Sequence, residues 1–510
     1  MRVPLTVRDF LDRAEQAYPD RVGLVDEPGT QDSLGSVTWG EVARRARAYG
    51  AGFDALGIAP GERIAVVSHN AARLQELLFA APYHGRVLVP VNFRLHADEV
   101  RYIVEHSGAS AVLVDPELDS SLGSITAKHR FVVGAESDEA MLRFDAEAAP
   151  WDLDEDATAT INYTSGTTAR PKGVQLTHRN IWTDAVTFGL HTSVTDRDVF
   201  LHTLPMFHCN GWGMPYVVAG MGGTQVVIRK IDGAEILRRV AQHGLTLACG
   251  APAVWSAVLD AAQNWDGEIP GRDRMRVVCA GAPPPSRTIA RIEEELGWEF
   301  QQIYGLTETS PLLTHNARRA EYDHLSAEER AQKLARAGAP ALGARIRTDD
   351  TGEVLVRSNT VMAGYWSDPD ATAKALDGGW FHTGDGGGVD SEGYLTIADR
   401  KKDVIISGGE NVSSIEVEDR LFSHPAVAEC AVIGVPDEKW GELVLGLVVL
   451  AEGTEASEAD LIAHCRASLA GYKVPKRIEF RESIPRTATG KIQKFLLRKT
   501  FWEGRDRQIN

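Results

Sequence analysis

Two rhythms alternate along the first half of the chain. The stretch "RIAVVSH" (residues 63–69) is a short apolar run, and "NAARLQELLFAAPYHG" after it has apolar positions at helical spacing and closes on Gly85. "RVLVPVN" reads again as a strand, "HADEVRYIVEHSGA" as a helix ending near Gly108, and "SAVLVD" as the next strand. Short apolar runs predict buried strands, and an apolar period near 3.6 predicts the helices that cover them. Strands and helices in alternation build parallel sheets with helices on their faces. The rhythm returns in "TQVVIRK", "GAEILRRVAQHG" and "LTLACGAP". The expectation is an α/β protein whose large N-terminal domain holds parallel or mixed sheets under helices.

From about Thr351 the pattern changes. "TGEVLVRS" and then "DGGWFHTGDGGGVDSEGYLTIADRKKDVIISGGE" are glycine-rich and strand-like, which predicts short antiparallel hairpins. The last hundred or so residues follow a pattern of their own: helix "SSIEVEDRLFSHP", strands "VAECAVIGVP" and "ELVLGLVVLAEG", helix "SEADLIAHCRASLAG" and a basic tail. That is a compact α+β unit. The polar run "DRKKD" marks the boundary, so the domains are expected at 1–401 and 402–510. A chain of 510 residues exceeds one ordinary core, and length alone predicts about three domains or subdomains. Neither internal repeats nor low-complexity segments interrupt the pattern.

One segment stands apart: "YTSGTTARPKGVQLTH" (residues 163–178). Before it, "ATATINY" alternates like a strand; after it, "LTHRNIWTDAVTFGL" has helical periodicity with Thr177 as a candidate cap. The segment therefore reads as a loop from a strand into a helix. Free N–H groups at a helix start attract anions, glycines let the backbone approach, hydroxyls donate hydrogen bonds and Lys172 adds a positive charge. A polar surface turn shares this composition, but the flanks favour an anion-binding loop.

Composition narrows the choice of partner. Hydrophobic content of 43% and charged content of 25% are ordinary for a globular protein. Lys and Arg number 54 against 71 Asp and Glu, a net charge of −17, so neither nucleic acid nor an anionic membrane is an expected partner. A small anion remains compatible if cations gather at one site. The cysteines (Cys209, Cys249, Cys279, Cys430 and Cys465) are scattered and form no CxxC pair. That argues against a disulfide framework and a zinc site and for a reducing cytoplasm. The opening residues carry charges throughout and lack a signal peptide's apolar core, and stretches such as "ELVLGLVVL" are too short to span a bilayer. The expectation is a cytoplasmic protein without stable membrane insertion.

The loop is not a Walker A motif, because Pro171 stands where the second glycine is needed. The chain carries no G-x-G-x-x-G opening a helix, no H-E-x-x-H and no G-x-S-x-G, so dehydrogenase, zinc-protease and hydrolase readings lack their motifs. "YTSGTTARPKGV" does strongly resemble the phosphate loop of the adenylate-forming superfamily, which includes acyl-CoA synthetases, aryl-CoA ligases, peptide-synthetase adenylation domains and luciferases. Six further segments follow in the family's order: "LPMFHCNGW", "GAP" (residues 281–283), "IYGLTETSP", "HTGD", "DRKKDVIISGGENVSSIEVE" and "PRTATGKIQK". The resemblance spans essentially the whole chain and is nearest in flavour to medium- and long-chain fatty acyl-CoA synthetases. The family loop commonly has glycine where Ala169 stands, which bears on loop mobility.

The resemblance implies a small barrel-like β subdomain, a mobile C-terminal domain and a set of roles. Thr164, Ser165, Gly166, Thr167, Thr168 and Lys172 are expected on the β- and γ-phosphates of ATP. Glu308 is expected to bind Mg²⁺ and Thr307 to reach the α-phosphate. Tyr304 and Gly305, with Gly281, Ala282 and Pro283, are expected around adenine, and Asp385 and Arg400 on the ribose or phosphates. Lys491 would neutralise charge at the α-phosphate and acyl oxygen in the transition state. Lys491, Glu308, Thr164 and His208 form the implied catalytic set. Lys402 matches the hinge. Ser407, Gly408, Gly409 and Glu410 match the segment that replaces Lys491 when CoA enters, with Lys473 and Lys476 near the CoA phosphates. His208, Trp212, Val254, Trp255 and Thr314 are the acyl-site candidates, and Trp212 matches a tunnel gate. The polar, helix-patterned stretch 315–340 has no reading beyond an accessory surface helix.

The implied activity is ATP-dependent ligation of a carboxylic acid, expected to be a fatty acid, to CoA through an acyl-adenylate. Aryl acids such as a cinnamate, transfer to an amine or carrier protein, and a nucleotide-binding pseudoenzyme are the alternatives. "SGGE" favours a thiol, and the presence of both Lys491 and Glu308 disfavours the pseudoenzyme. The resemblance is compatible with a homodimer.

Overall fold

The computed structural model describes residues 1–510 except 165–170, 401–402, 408–409, 438–439, 488–490 and 504–510. Local signals set the elements. The helix Gly233–His243 begins where Asp232 accepts the Glu235 N–H at 2.7 Å. It buries Ile236, Leu237 and Val240 on one face and ends at Gly244 in the left-handed region (φ 63°). Capping, helical spacing and a terminal glycine thus agree.

Among the described residues the strands form four sheets. A nine-stranded sheet runs in the order Ala339–Pro340, Leu312–Asn316, Glu299–Gly305, Arg276–Cys279, Leu247–Gly250, Val199–His202, Thr224–Val227, Val22–Val25, Ser36–Thr38. Its middle is parallel and its edges are antiparallel. A seven-stranded sheet runs Gly364–Tyr365, Lys172–Thr177, Thr158–Thr164, Val87–Val91, Arg63–Val67, Ala109–Val114, His129–Val132. It is parallel from Thr158–Thr164 onward and antiparallel at the other edge.

Both large sheets are buried on both faces, which is why their strands read as continuous apolar runs. Successive residues serve opposite cores: Phe200 joins the core between the sheets and Leu201 the outer one, and Ile64 and Val66 face inward while Ala65 and Val67 face outward. The helices Ala72–Tyr83 and Met214–Met221 fill the space between the sheets, and Tyr216 packs edge-on against Phe79 with ring centroids 5.3 Å apart. Burying each such ring contributes ~2–3 kcal/mol.

The glycine-rich segment forms a four-stranded antiparallel sheet from Arg345–Thr348, Glu353–Arg357, Phe381–Val389 and Leu395–Arg400. A fourth sheet draws only on residues from Ile405 onward, with its long hairpin Val427–Asp437 and Gly441–Leu450 at the centre. Helices Ser414–Phe422 and Glu458–Arg466 cover one face, and Lys494–Trp502 covers the other. This C-terminal unit meets the rest of the chain through Ser286, whose N–H and hydroxyl both lie 3.0 Å from Asp419 Oδ1, and through Arg287, which donates to the His424 carbonyl at 3.2 Å. The stretch 315–340 includes the capped helix Ala327–Leu334, packed on the helix Ser286–Arg291.

One sequence expectation is corrected. The segment 163–178 does not lead from a strand into a helix. Residues Lys172–Thr177 form a strand antiparallel to Thr158–Thr164, with Thr164 paired to Lys172, and the helix starts only at His178. Thr177 caps that helix by accepting the Asn180 N–H at 3.1 Å, so the cap was read correctly but not the strand before it. The short "KGVQLT" alternation is overrun by the stronger helical period that follows, and the long-range pairing decides its conformation. The anion-attracting helix start invoked for the loop therefore lies a full strand away.

Candidate active site

The site lies at the C-terminal ends of the strands, where the two large sheets open toward the C-terminal unit. Position 165–170 is the connection between the paired strands, so Ser165, Gly166, Thr167 and Thr168 fall outside the described residues. Thr164 and Lys172, at its two ends, face each other across the hairpin. The Lys172 ammonium stands 4.8 Å from the centroid of the Tyr365 ring and 4.0 Å from Asp368 Oδ2.

The second wall comes from the strand Glu299–Gly305 and the turn Thr307–Thr309. Gly305 is required there by contact: a Cβ would sit 1.5 Å from the Pro311 carbonyl oxygen. This approach lets the chain fold back so that Thr307 and Glu308 lie beside the loop hairpin. Glu308 Oε1 accepts the Tyr365 hydroxyl at 3.0 Å, and its carbonyl accepts the Met362 N–H at 2.8 Å. The Tyr304 hydroxyl donates to Asp385 Oδ2 at 2.8 Å, and Asp385 is buried. Arg400 pairs with Asp385 through the backbone, and its side chain lies outside the described residues.

A third wall is the turn after "LPMFH". From Cys209 to Gly213 every residue has positive φ, and three of the five (Cys209, Asn210 and Trp212) are not glycine. Left-handed backbone costs about 1–2 kcal/mol for such residues, so neighbours must hold it. They do so through a buried network: Asn210 donates to Thr160 Oγ1 at 2.9 Å and accepts from Asn162 at 3.1 Å, while Asn162 also donates to the Phe207 carbonyl at 3.4 Å. Thr160 and Asn162 belong to the strand that leads into residues 165–170. Behind the turn, burial raises the Asp184 carboxyl well above the usual range; Oδ1 accepts the Leu312 N–H at 2.9 Å.

The second and third walls border a cavity of about 30 Å³ lined by His208, Trp212, Gly281, Gly305, Thr307 and Lys491, with Cys209 and Pro311; Thr164, Lys172, Tyr304, Glu308 and Asp385 are not in its lining. Gly281 is left-handed (φ 91°), and Lys491 Cε would be 3.5 Å from a Cβ there. Lys491 thus reaches from the C-terminal unit to the glycine that opens "GAP". Two hydrogen bonds hold its backbone: Lys491 N–H donates to Thr487 Oγ1 at 3.0 Å, and Thr487 N–H to the Lys491 carbonyl at 2.7 Å. Burial, and then the nearby Lys491 ammonium, hold the His208 imidazole down to about 3, so it is neutral at working pH. Burial pushes the Cys209 thiol well above its usual range, assisted by Asp184 and Glu308.

The other sequence candidates lie elsewhere. Trp255 is fully buried in the outer core of the nine-stranded sheet, with Val254 packed against it. Thr314 is buried and donates to the Ala337 carbonyl at 2.6 Å. None of these three lines the cavity. Ala282, after Gly281, is half-buried and Pro283 is exposed. Ser407 and Glu410 are paired, and Gly408 and Gly409 between them in sequence lie outside the described residues, as does Lys402. Lys473 pairs with Glu416 at 2.7 Å, and that hydrogen bond raises its pKa; Lys476 donates to the Gly471 carbonyl at 2.8 Å. Sequence reasoning missed Tyr365 and the Thr160–Asn162–Asn210 network. Tyr365 stands 57 residues from Glu308, and no local pattern links the two.

The strand pair around residues 165–170, the turn bearing Glu308 and a lysine delivered by a small second unit stand on a doubly layered α/β fold, the arrangement of an adenylate-forming enzyme. Residues 11–366 match the AMP-binding enzyme family and residues 416–491 the AMP-binding enzyme C-terminal domain, and the chain belongs to this family. It is an AMP-forming acid–CoA ligase that uses ATP and CoA on a small-molecule acid. A 2–methylpropanoate–CoA ligase of Humulus lupulus is 37% identical over 97% of this chain and 95% of its own length. Among solved structures, an anthranilate–CoA ligase in complex with anthranoyl-AMP superposes with a TM-score of 0.87 at 26% identity, over 98% of this chain and 99% of that one. A Mycobacterium tuberculosis fatty acyl CoA synthetase gives 0.74 at 31% identity, over 97% and 98%. No helix of the described residues is long and apolar enough to cross a membrane.

Proposed function

We propose that this ligase activates a compact carboxylic acid, short and branched or small and aromatic. The observation that carries this is Trp212, which is 4% exposed and stands in the cavity wall beside His208 and Lys491. The relatives named for 2-methylpropanoate and anthranilate support it. A medium- or long-chain fatty acid is the second reading. It is favoured by the same residue as a gate and by the fatty acyl-CoA synthetase relative, and it requires the indole to leave its buried position.

In the first step the acid's carboxylate oxygen attacks the α-phosphorus, the α–β P–O bond breaks, and pyrophosphate leaves. The reaction brings anions together, so its catalysis is mainly alignment and charge neutralisation. Lys491, over Gly281, is positioned to meet the α-phosphate and acyl oxygen. Neutral His208 orients the carboxylate without drawing it into an ion pair. Thr164 and Lys172 hold the pyrophosphate end, with Thr307 on the α-phosphate. Tyr304 covers the base, and Asp385, to which the Tyr304 hydroxyl donates, accepts from the ribose hydroxyls.

Glu308 offers a hard carboxylate oxygen beside these groups, a donor that fits Mg²⁺. Bound there, the ion would screen the phosphate charge. In the second step the CoA thiol gives its proton to solvent, its sulfur bonds to the acyl carbonyl carbon, the bond from that carbon to the phosphate oxygen breaks, and AMP leaves. The turn 407–410 would replace Lys491 for this step, with the chain bending near Lys402. Buried, free cysteines support a cytoplasmic setting.

Product mass after incubation with ATP, Mg²⁺, CoA and a panel of short, aryl and long-chain acids tests the reading. Short or aryl thioesters are expected; thioesters of long chains alone would overturn it. Acyl-AMP without any thioester would redirect the search to amines and carrier proteins.

A further inference from the structure

We propose that Tyr365 is a positioning residue that aligns the Glu308 carboxylate and the Lys172 ammonium together on the polyphosphate side of the site. The proposal rests on the reading of Glu308 and Lys172 given above. The two residues come from different elements, and both have side chains with several rotatable bonds. A single rigid ring lies between them. The Tyr365 hydroxyl donates to Glu308 Oε1 at 3.0 Å, and the Lys172 ammonium stands over its ring face, 4.8 Å from the centroid. A cation within about 6 Å of a tyrosine ring is attracted by the ring's quadrupole.

The ring is itself fixed. Gly364–Tyr365 is the edge strand beside Lys172–Thr177, with Tyr365 opposite Val174 and Gly364 opposite Gln175. Backbone hydrogen bonds flank it: Ala363 N–H to the Gln175 carbonyl at 3.0 Å and Trp366 N–H to the Gly173 carbonyl at 2.7 Å. The Tyr365 N–H donates to Thr372 Oγ1 at 2.8 Å. The same segment grips Glu308 a second time, through Met362 N–H and the Glu308 carbonyl at 2.8 Å. Asp368, three residues on, places its Oδ2 4.0 Å from the Lys172 ammonium. The tyrosine therefore ties the loop hairpin and the Thr307–Thr309 turn into one unit, using its hydroxyl on the carboxylate and its face on the cation.

The two halves separate by substitution. Tyr365→Phe deletes only the donor; Tyr365→Leu deletes the ring face as well. ATP affinity is measured by calorimetry across a Mg²⁺ series, with Tm and thioester formation from supplied acyl-AMP read in parallel. Tyr365→Phe is expected to raise the Mg²⁺ half-saturation about tenfold, the effect of losing a hydrogen bond to a charged group, while ATP affinity at saturating Mg²⁺ is retained. Tyr365→Leu is expected to weaken ATP at every Mg²⁺ concentration. Tyr365→Phe leaving the Mg²⁺ curve unmoved, or slowing the acyl-AMP step and lowering Tm in proportion, would overturn the positioning role. Glu308→Gln distinguishes the underlying reading. If it shifts the Mg²⁺ curve and Tyr365→Phe does not, the proposal alone fails; if Glu308→Gln shifts nothing, the reading of Glu308 fails and the proposal with it.

Discussion

Replacing Gly305 with alanine adds one methyl group where two segments nearly touch. A Cβ at 305 would lie 1.5 Å from the Pro311 carbonyl oxygen and 2.7 Å from its carbon. To reach the 3.4 Å at which such contacts become ordinary, the segments must part by about 1.9 Å. Both contacts are backbone, so no side chain can swing aside. The Pro311 oxygen also accepts from Thr309 Oγ1 at 2.8 Å, and that buried hydroxyl lies 3.0 Å from the Leu306 N–H. Parting the segments loosens this knot. Overpacking costs ~1–3 kcal/mol and a lost buried hydrogen bond about 1 kcal/mol more, so a destabilisation of roughly 2–4 kcal/mol is expected. Thr307 and Glu308 follow directly, and a displacement of about 1 Å at a reacting site costs on the order of 100-fold in rate. The assay is acid-dependent ATP–pyrophosphate exchange beside thermal unfolding. Gly388→Ala is the control, because a Cβ there meets nothing within 4 Å. Exchange within twofold of wild type and an unchanged Tm in Gly305→Ala would refute the packing argument.

Three further outcomes are expected. Lys491→Ala should abolish exchange yet largely spare thioester formation from supplied acyl-AMP, and equal loss of both would show that its role is not confined to the first step. Trp212→Gly, which keeps the left-handed backbone (φ 62°) while emptying the wall, should move the preferred acid toward longer chains by tenfold or so per 1.4 kcal/mol of new contact; an unchanged chain-length profile removes Trp212 from the acyl wall. His202 is fully buried against Gln225 at 2.8 Å, and burial lowers its imidazole to about 4. The unfolded chain takes up a proton near pH 6.5 and the folded one does not, so this group's contribution falls as pH drops from 6.5 toward 4. The loss is about 1.4 kcal/mol per pH unit. His202→Gln should flatten the acid side of the stability curve by that slope in urea unfolding, and parallel curves for the two proteins would contradict it.

Much of the fold was legible because its signals are local. The capped helix Gly233–His243 and the strands around Arg63–Val67 and Val87–Val91 follow from spacing and end residues. The strand Lys172–Thr177 was not legible, because six residues of weak alternation are outweighed by the helical period beyond them until Thr158–Thr164 pairs alongside. Among the site candidates, His208, Trp212, Gly281, Gly305, Thr307 and Lys491 meet at one cavity, whereas Trp255 and Thr314 go into the core. Nothing in the identity of a tryptophan tells whether it lines a cavity or fills a core, because both places reward the same apolar area.

By itself the sequence determined the class: alternating elements, an acidic composition with cations gathered at "RPKG" and "TGKIQK", and ordered motifs that specify ATP-dependent activation of an acid. Periodicity and motif order survive in one dimension because they depend on near neighbours. Only the tertiary structure decided which groups meet. It set Tyr365 between Glu308 and Lys172, braced the left-handed turn of Trp212 on Asn162 and Thr160, and carried Lys491 from a separate unit to Gly281. These contacts join residues tens to hundreds of positions apart, and their geometry follows from how sheets and turns pack rather than from any local pattern.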